Sequence, residues 1–298
     1  MSCQLEDKQQ TIPKKPFFVV LGVAQDAGYP QIACQKNCCQ KTYQKPSLRR
    51  MVSCIALVDP LTNKSWIFDA TPDFTLQTKL LSKYTPKKKL PDGVFLTHGH
   101  LGHYTGLMYL GKEAVNADQI PVYAMPKMHS YLTNNGPWSQ LVKDKNISLK
   151  LLANDSSTIL NPRISVRPLL VPHRDEYTET VGYLIKNQKK KALFIPDIDK
   201  WEKWNQSILN LIKQVDIAFL DATFFKDGEI SRAMSEVPHP FVEQSMKLFS
   251  GLSAKNKKKI YFIHFNHTNP LLNESGTAFR AVINNNFNIA KEQMLIEF

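Results

Sequence analysis

The sequence predicts an α/β chain in one domain, with large sheets covered by helices. Short apolar runs rich in Val, Ile and Phe recur along its 298 residues. Segments of helical character lie between several of them. Six of the runs end on a histidine or an aspartate, and open α/β sheets build their sites at strand ends. No stretch rich in Pro, Gly and Ser divides the chain.

Strands are expected at 17–24, 54–58, 66–69, 93–97, 121–124, 164–171, 181–185, 192–195, 217–220 and 260–264. Helices are expected at 73–84, 103–114, 200–213 and 240–252. Residues 1–16 are expected to be a flexible N-terminal segment and 17–298 the domain. The segment Asn134–Gln140 (NNGPWSQ) has loop character, and Trp138 is a candidate cover for a pocket.

The polar residues that close the strands are His or Asp each time. Asp69 follows WIF, His98 follows VFLT, His173 follows LLVP, Asp197 follows LFIP, Asp221 follows IAFL and His264 follows IYFI. Both residue types ligate metals. The stretch from Phe95 to Leu107 reads FLTHGHLGHYTGL, with His98, His100 and His103 spaced i, i+2 and i+5. In an extended loop the first two can turn to one ion, and the third can come from the first turn of a following helix. Neutral imidazole is a favoured ligand of Zn²⁺ and similar ions. His173, Asp197 and His264 are the distant candidates that would complete such a site.

Composition limits the alternatives. With 43% hydrophobic and 21% charged residues the chain is ordinary globular material. It has no run of apolar residues long enough to span a membrane. The start, MSCQLEDKQQTIPKK, has no apolar signal core. The expected location is cytoplasmic, with export or a lipid anchor at Cys3 as the alternative if a leader was removed. The net charge is +12, carried mostly by lysine. The runs Lys87–Lys89, Lys189–Lys191 and Lys257–Lys259 fall at expected turns without interleaved aromatics, so no specific nucleic-acid binding is expected. A small-molecule substrate is the expected partner; the oligomeric state stays open. The five cysteines are Cys3, Cys34, Cys38, Cys39 and Cys54. An odd count with three in six residues suits thiolate ligands better than a disulfide framework.

FLTHGHLGHYTGL resembles the His-x-His-x-Asp-His motif of the metallo-β-lactamase superfamily, which implies an αββα sandwich with metals at the edge between two sheets. The resemblance extends through Asp69 in FDAT, His173, Asp197 in FIPDID and His264 in YFIHFNHTNP. More narrowly, LGVAQDAGYPQIAC, FDATPDF, LDATFFKDGEISR and IHFNHTNP are similar to coenzyme PQQ synthesis protein B-like proteins. The phosphonate-pathway cyclic phosphodiesterase and ribonuclease Z are cousins.

The resemblance implies a first ion held by His98, His100 and His173, and a second by His103, His264 and a bridging Asp197, with Asp69 supporting from behind. The family's motif carboxylate is replaced by Gly102. One catalytic zinc is therefore expected, with the second ion weak or absent, and an added carboxylate at 102 is expected to strengthen it. Iron or manganese also suits His/Asp ligands. In the hydrolase reading Asp197 orients the nucleophile, and Asp221 or His239 assists the leaving group. His239 follows the DAT element as a histidine does in the relatives. The other readings are oxidative processing of a quinone-cofactor precursor and a non-catalytic binding protein with a reduced metal site. A structural zinc is expected at Cys34, Cys38 and Cys39, with His267 completing it by the same resemblance. The segment that bears these cysteines, ACQKNCCQK, is expected to be a polar loop that must bend for adjacent thiols to share an ion.

Overall fold

β1 (Phe17–Gly22) reads FFVVLG, and all six residues are buried. Phe18 and Val20 face a core between two sheets, while Phe17, Val19 and Leu21 face a helical layer outside. A strand covered on both sides needs no polar alternation, so it reads as a continuous apolar run. β2 (Cys54–Asp59) divides its residues the same way, with Ile55 and Leu57 inward and Cys54, Ala56 and Val58 outward.

The computed structural model describes residues 12–86 and 88–298. Cys3, Lys87 and most of the expected N-terminal segment lie outside the described residues. The remaining strands are β3 (Lys64–Phe68), β4 (Gly93–Phe95), β5 (Ile120–Ala124), β6 (Ile147–Leu151), β7 (Thr158–Asn161), β8 (Ile164–Leu170), β9 (Val181–Lys186), β10 (Lys191–Ile195), β11 (Ile217–Asp221), β12 (Ile260–Ile263), β13 (Asn288–Ile289) and β14 (Leu295–Glu297). The helices are α1 (Asn37–Gln44), α2 (Phe74–Leu81), α3 (Leu101–Tyr104), α4 (Pro126–Asn134), α5 (Trp138–Lys143), α6 (Ile208–Gln214), α7 (Val242–Leu248), α8 (Ala254–Lys257) and α9 (Thr277–Asn284). The strands form two seven-stranded sheets among the described residues, ordered β14-β1-β2-β3-β4-β5-β6 and β13-β12-β11-β10-β9-β8-β7. Each has three antiparallel and three parallel pairings. The predicted αββα sandwich is the observed architecture. No helix among the described residues is long and apolar enough to cross a membrane.

Pairing directions decide where the site falls. β1 and β3 are both antiparallel to β2, so they run the same way, and β4 is parallel to β3. In the second sheet β8 and β10 share a direction through β9, and β11 and β12 follow β10. Within each sheet the C-terminal ends of these strands therefore share one rim, where loops can converge.

Several expected elements differ. The helix expected over 103–114 is one turn of α3 followed by 3₁₀ turns over Thr105–Leu110. Gly106 explains it: a Cβ there would lie 2.1 Å from the Thr71 carbonyl oxygen, and the Gly106 amide donates to Ala70 O at 2.9 Å. The chain must hug Ala70–Thr71, and glycine permits that at the cost of helix propensity. The helix expected over 200–213 breaks after a 3₁₀ turn at Trp201–Lys203 and restarts at α6, where Ser207 caps the helix. Trp201 and Trp204 hold the break, donating from Nε1 to Ser245 Oγ and Leu170 O at 2.9 and 2.7 Å. β6 and β7 were not expected; they are half-exposed outer strands whose apolar signal is weak. The cysteine segment, expected as a loop, enters α1 at Asn37.

Phe68 ends β3 inside the core, with ring centroids 5.1 Å from Phe95, 5.6 Å from Tyr183 and 6.0 Å from Phe194. Phe68→Ala should destabilise the chain by about 3–5 kcal/mol. Urea unfolding monitored by circular dichroism checks this; a loss below about 1 kcal/mol would mean that the two sheets do not meet through this ring.

Candidate metal centre

Asp197 stands where the two sheets' rims meet. It follows β10, is 2% exposed, and directs its two carboxylate oxygens to different histidines. His173, two residues past Val171, places Nε2 3.3 Å from Asp197 Oδ1. His98 places Nε2 3.4 Å from Asp197 Oδ2. His100 joins them, so His98, His100, His173 and Asp197 offer ligand atoms all within 4.8 Å of one another. Glu176 Oε2 lies 3.1 Å from His100 Nε2, and Arg174 flanks the same nitrogen at 3.5 Å.

A second group shares Asp197. His103 Nε2 is 3.8 Å and His264 Nε2 4.0 Å from Asp197 Oδ2. The fourth member is Asp26, which the sequence reading did not include. Its Oδ1 is 3.1 Å from His103 Nε2 and 3.3 Å from His264 Nε2. Asp26, His103, Asp197 and His264 again lie within 4.8 Å of one another. A signal for Asp26 existed: it follows an apolar strand, as the other strand-end residues do, although four residues beyond the strand's last residue.

Buried acids and threonines fix the imidazoles from behind. Asp69 Oδ2 is 2.8 Å from His103 Nδ1, and the Thr97 hydroxyl donates to Asp69 Oδ1 at 2.9 Å. Asp221 does the corresponding work in the second sheet. Its Oδ2 is 2.9 Å from His239 Nδ1, and Oδ1 accepts from the Thr223 hydroxyl at 2.7 Å. Thr223 Oγ1 is also 2.8 Å from His264 Nδ1. His239 Nδ1 lies 3.2 Å from Asp197 Oδ1, so the residues expected at the His/Asp centre meet here. Asp69 and His264 hold positive φ of 72° and 71°. Such backbone costs non-glycine residues about 1–3 kcal/mol and persists where surroundings over-determine it. Here the Asp69 amide donates to Phe95 O at 2.8 Å, and Phe265 N donates to Val23 O at 2.7 Å.

The donor set fits divalent cations. His98 Nε2, both ring nitrogens of His173 and Asp197 Oδ1 are buried yet make no hydrogen bond. Orphaned polar atoms are costly unless something else satisfies them. Burial pushes the His98 imidazole well below its ordinary range, and His103 beside it adds to that. The favoured neutral form is the one that ligates. Burial raises Asp26, but hydrogen bonding and attraction from His103 and His264 prevail and hold it well below the usual carboxylate range. Asp69, Asp197 and Asp221 are all buried beside the histidines, and buried carboxyl groups need partners.

Away from this centre, Cys34, Cys38, Cys39 and His267 also come within 4.8 Å of one another. Their thiols are free, and His267 Nδ1 is 3.3 Å from Cys39 Sγ and 3.7 Å from Cys38 Sγ. The bend required of adjacent cysteines is supplied by α1, which turns about 100° per residue. Trp138 does not cover the centre. It opens α5 and packs on Tyr104 and Tyr131, with centroids 4.8 and 6.1 Å away, in the layer outside the first sheet.

The family described as the Beta-lactamase superfamily domain matches residues 65–265. Coenzyme PQQ synthesis protein B of Pseudomonas protegens is 25% identical over 94% of this chain and 99% of its own length. Its namesake in Acinetobacter baumannii strain AYE is 25% identical over 93% and 98%. Zn²⁺-bound PqqB from Methylobacterium extorquens superposes with a TM-score of 0.80 at 22% identity, covering 95% of this chain and 100% of that one. A diphosphatase of the PhnP family superposes at 0.69 with 22% identity over 95% and 98%.

Proposed function

Because this chain belongs to the β-lactamase superfamily, we propose that it is a metal-dependent hydrolase of a phosphodiester or related anionic substrate. The observation that carries the reading is the set of orphaned ligand atoms on His98, His173 and Asp197. With His100 they would hold the principal ion, for which zinc is the first choice and iron or manganese the alternatives. A divalent ion there supplies Lewis acidity and brings the pKa of coordinated water to about 7.

The protein groups divide the remaining work. Asp197 orients the attacking water, since its oxygens face both histidine groups. Asp221 cannot reach a leaving group: it is fully buried, and it accepts from Thr223 and Ile198 and holds His239. It positions the imidazole through Nδ1, which leaves His239 as the residue to assist the departing oxygen. Arg174 at the rim and the net charge of +12 favour an anion.

A role in coenzyme PQQ synthesis is the second reading, favoured by the nearly end-to-end match to proteins of that name. Protein freed of metal and reloaded separately with Zn²⁺, Mn²⁺ and Fe²⁺ separates the two. Turnover of a generic phosphodiester by the zinc or manganese form supports hydrolysis. No turnover across phosphodiesters, esters and lactones, together with oxygen uptake by the iron form on a tyrosine-derived precursor, would replace it with the second reading.

We also propose that Cys34, Cys38, Cys39 and His267 bind a structural zinc, supported by their convergence on one point and by the Cys₃His donor set.

A further inference from the structure

We propose that Asp26 is the carboxylate ligand of a second ion in the His/Asp centre, and that Gly102 is glycine because the Asp26 backbone occupies the room of a side chain. The inference deepens the hydrolase reading and rests on it for the presence of metal. The expectation of a weak second ion treated Gly102 as a missing ligand. The geometry gives that ligand another origin.

The first argument is steric. A Cβ on Gly102 would lie 2.5 Å from Asp26 Cα, 2.8 Å from its Cβ and 2.9 Å from its carboxyl carbon. Real Cβ atoms do not approach backbone so closely, so no side chain fits at 102 while Asp26 holds its place. The expected gain in metal affinity from a carboxylate at 102 is thereby corrected: in the intact chain the change would eject Asp26.

The second argument is donor placement. Asp26 Oδ1 faces the Nε2 atoms of both His103 and His264. The Nδ1 atoms of those rings are engaged by Asp69 and Thr223 at 2.8 Å each. Both Nε2 atoms therefore point inward, toward Asp26 and Asp197, as two histidine ligands facing two carboxylates would. Three of these four residues correspond to the second-ion set the resemblance implies, and Asp26 supplies the fourth.

The third argument is how Asp26 is held. Ala24 bridges both Val52 and Phe265, and the Gln25 amide donates to Phe265 O at 2.8 Å. Phe265 adjoins His264, so the same backbone contact fixes both ligands. Gly28, at φ 74°, donates back to Gln25 O at 2.8 Å and closes the turn that carries Asp26. A carboxylate on a loop pinned this way is pre-organised, which a ligand requires.

Ion counting on the purified full chain tests the proposal without relying on turnover. Protein stripped with chelator is titrated with Zn²⁺, and bound ions are counted by native mass spectrometry and located by anomalous scattering. Wild type should take two ions in the His/Asp centre. Asp26→Ala should keep the ion at His98, His100 and His173 and raise the Kd of the other by about 100-fold or more, above the range for altering an outer partner. Asp26→Asn, which preserves shape, should weaken the same ion alone. Equal ion content and affinity in wild type and Asp26→Ala would overturn the proposal, as would a wild type that never binds more than one ion in this centre. Two bound ions without hydrolysis of any substrate would sink the hydrolase reading and leave this one standing.

Discussion

Asp197→Ala is expected to lower kcat/KM on any phosphodiester substrate by roughly 10³-fold or more, a cost of about 4 kcal/mol in the barrier. The residue faces both histidine groups, with His173 at 3.3 Å, His98 at 3.4 Å, His103 at 3.8 Å and His264 at 4.0 Å. Its removal therefore withdraws the one carboxylate common to both groups and the group proposed to orient the nucleophile. The fold should survive. Asp197 Oδ1 makes no hydrogen bond, and the residue belongs to neither apolar core cluster. Burial raises the Asp197 carboxyl, but attraction from His173 and His239 prevails and holds it well below its usual range, so losing it should lower the melting temperature of metal-free protein somewhat without unfolding the chain. Steady-state kinetics on metal-replete protein, with a melting curve alongside, check both halves. Unchanged turnover would remove Asp197 from the mechanism.

The second large effect is on stability. Cys34→Ser or His267→Ala should lower the melting temperature and the zinc content together, while His98, His100 and His173 still bind their ion. The cluster joins the segment after β1 to the segment after β12, which are far apart in sequence. His267 lies three residues past His264, so the cluster borders the His/Asp centre. Metal ligation of this kind contributes directly to folding free energy. A contribution of even about 3 kcal/mol would shift Tm by roughly 6–12 °C in a chain of this size class. The measurement is differential scanning calorimetry with zinc counted on the same samples. Rapidly titrating thiols at Cys34, Cys38 and Cys39 in freshly purified wild type, with no sulfur-bound metal, would refute the site. Cys54 serves as an internal contrast: it is fully buried, and burial raises its thiol well above the ordinary range.

Much of the site was legible in the sequence because the strands that carry it are covered on both faces. Burial on both sides leaves continuous apolar runs, and a polar residue closing such a run is conspicuous. Asp69, His98, His173, Asp197, Asp221 and His264 were found in this way, and all six meet at one rim. The spacing of His98, His100 and His103 added a local signature that needs only a loop and one helical turn. Elements with half-exposed faces, β6 and β7, gave no such contrast and were missed.

By itself the sequence determined the fold class, the strand ends and the identity of most donors, since these depend on local burial and on residue type. Tertiary structure alone decided the place of Asp26, which sits four residues beyond the end of β1 and reaches the centre because Ala24 and Gln25 pair with Phe265, some 240 positions later. It also decided the meaning of Gly102, which reads as a lost ligand in the motif and stands where Asp26 leaves no room for a side chain. The physical reason is the same in both cases. Periodicity and composition report what each segment buries, whereas the occupation of a given volume beside a given atom is set by pairing register between strands remote in the chain.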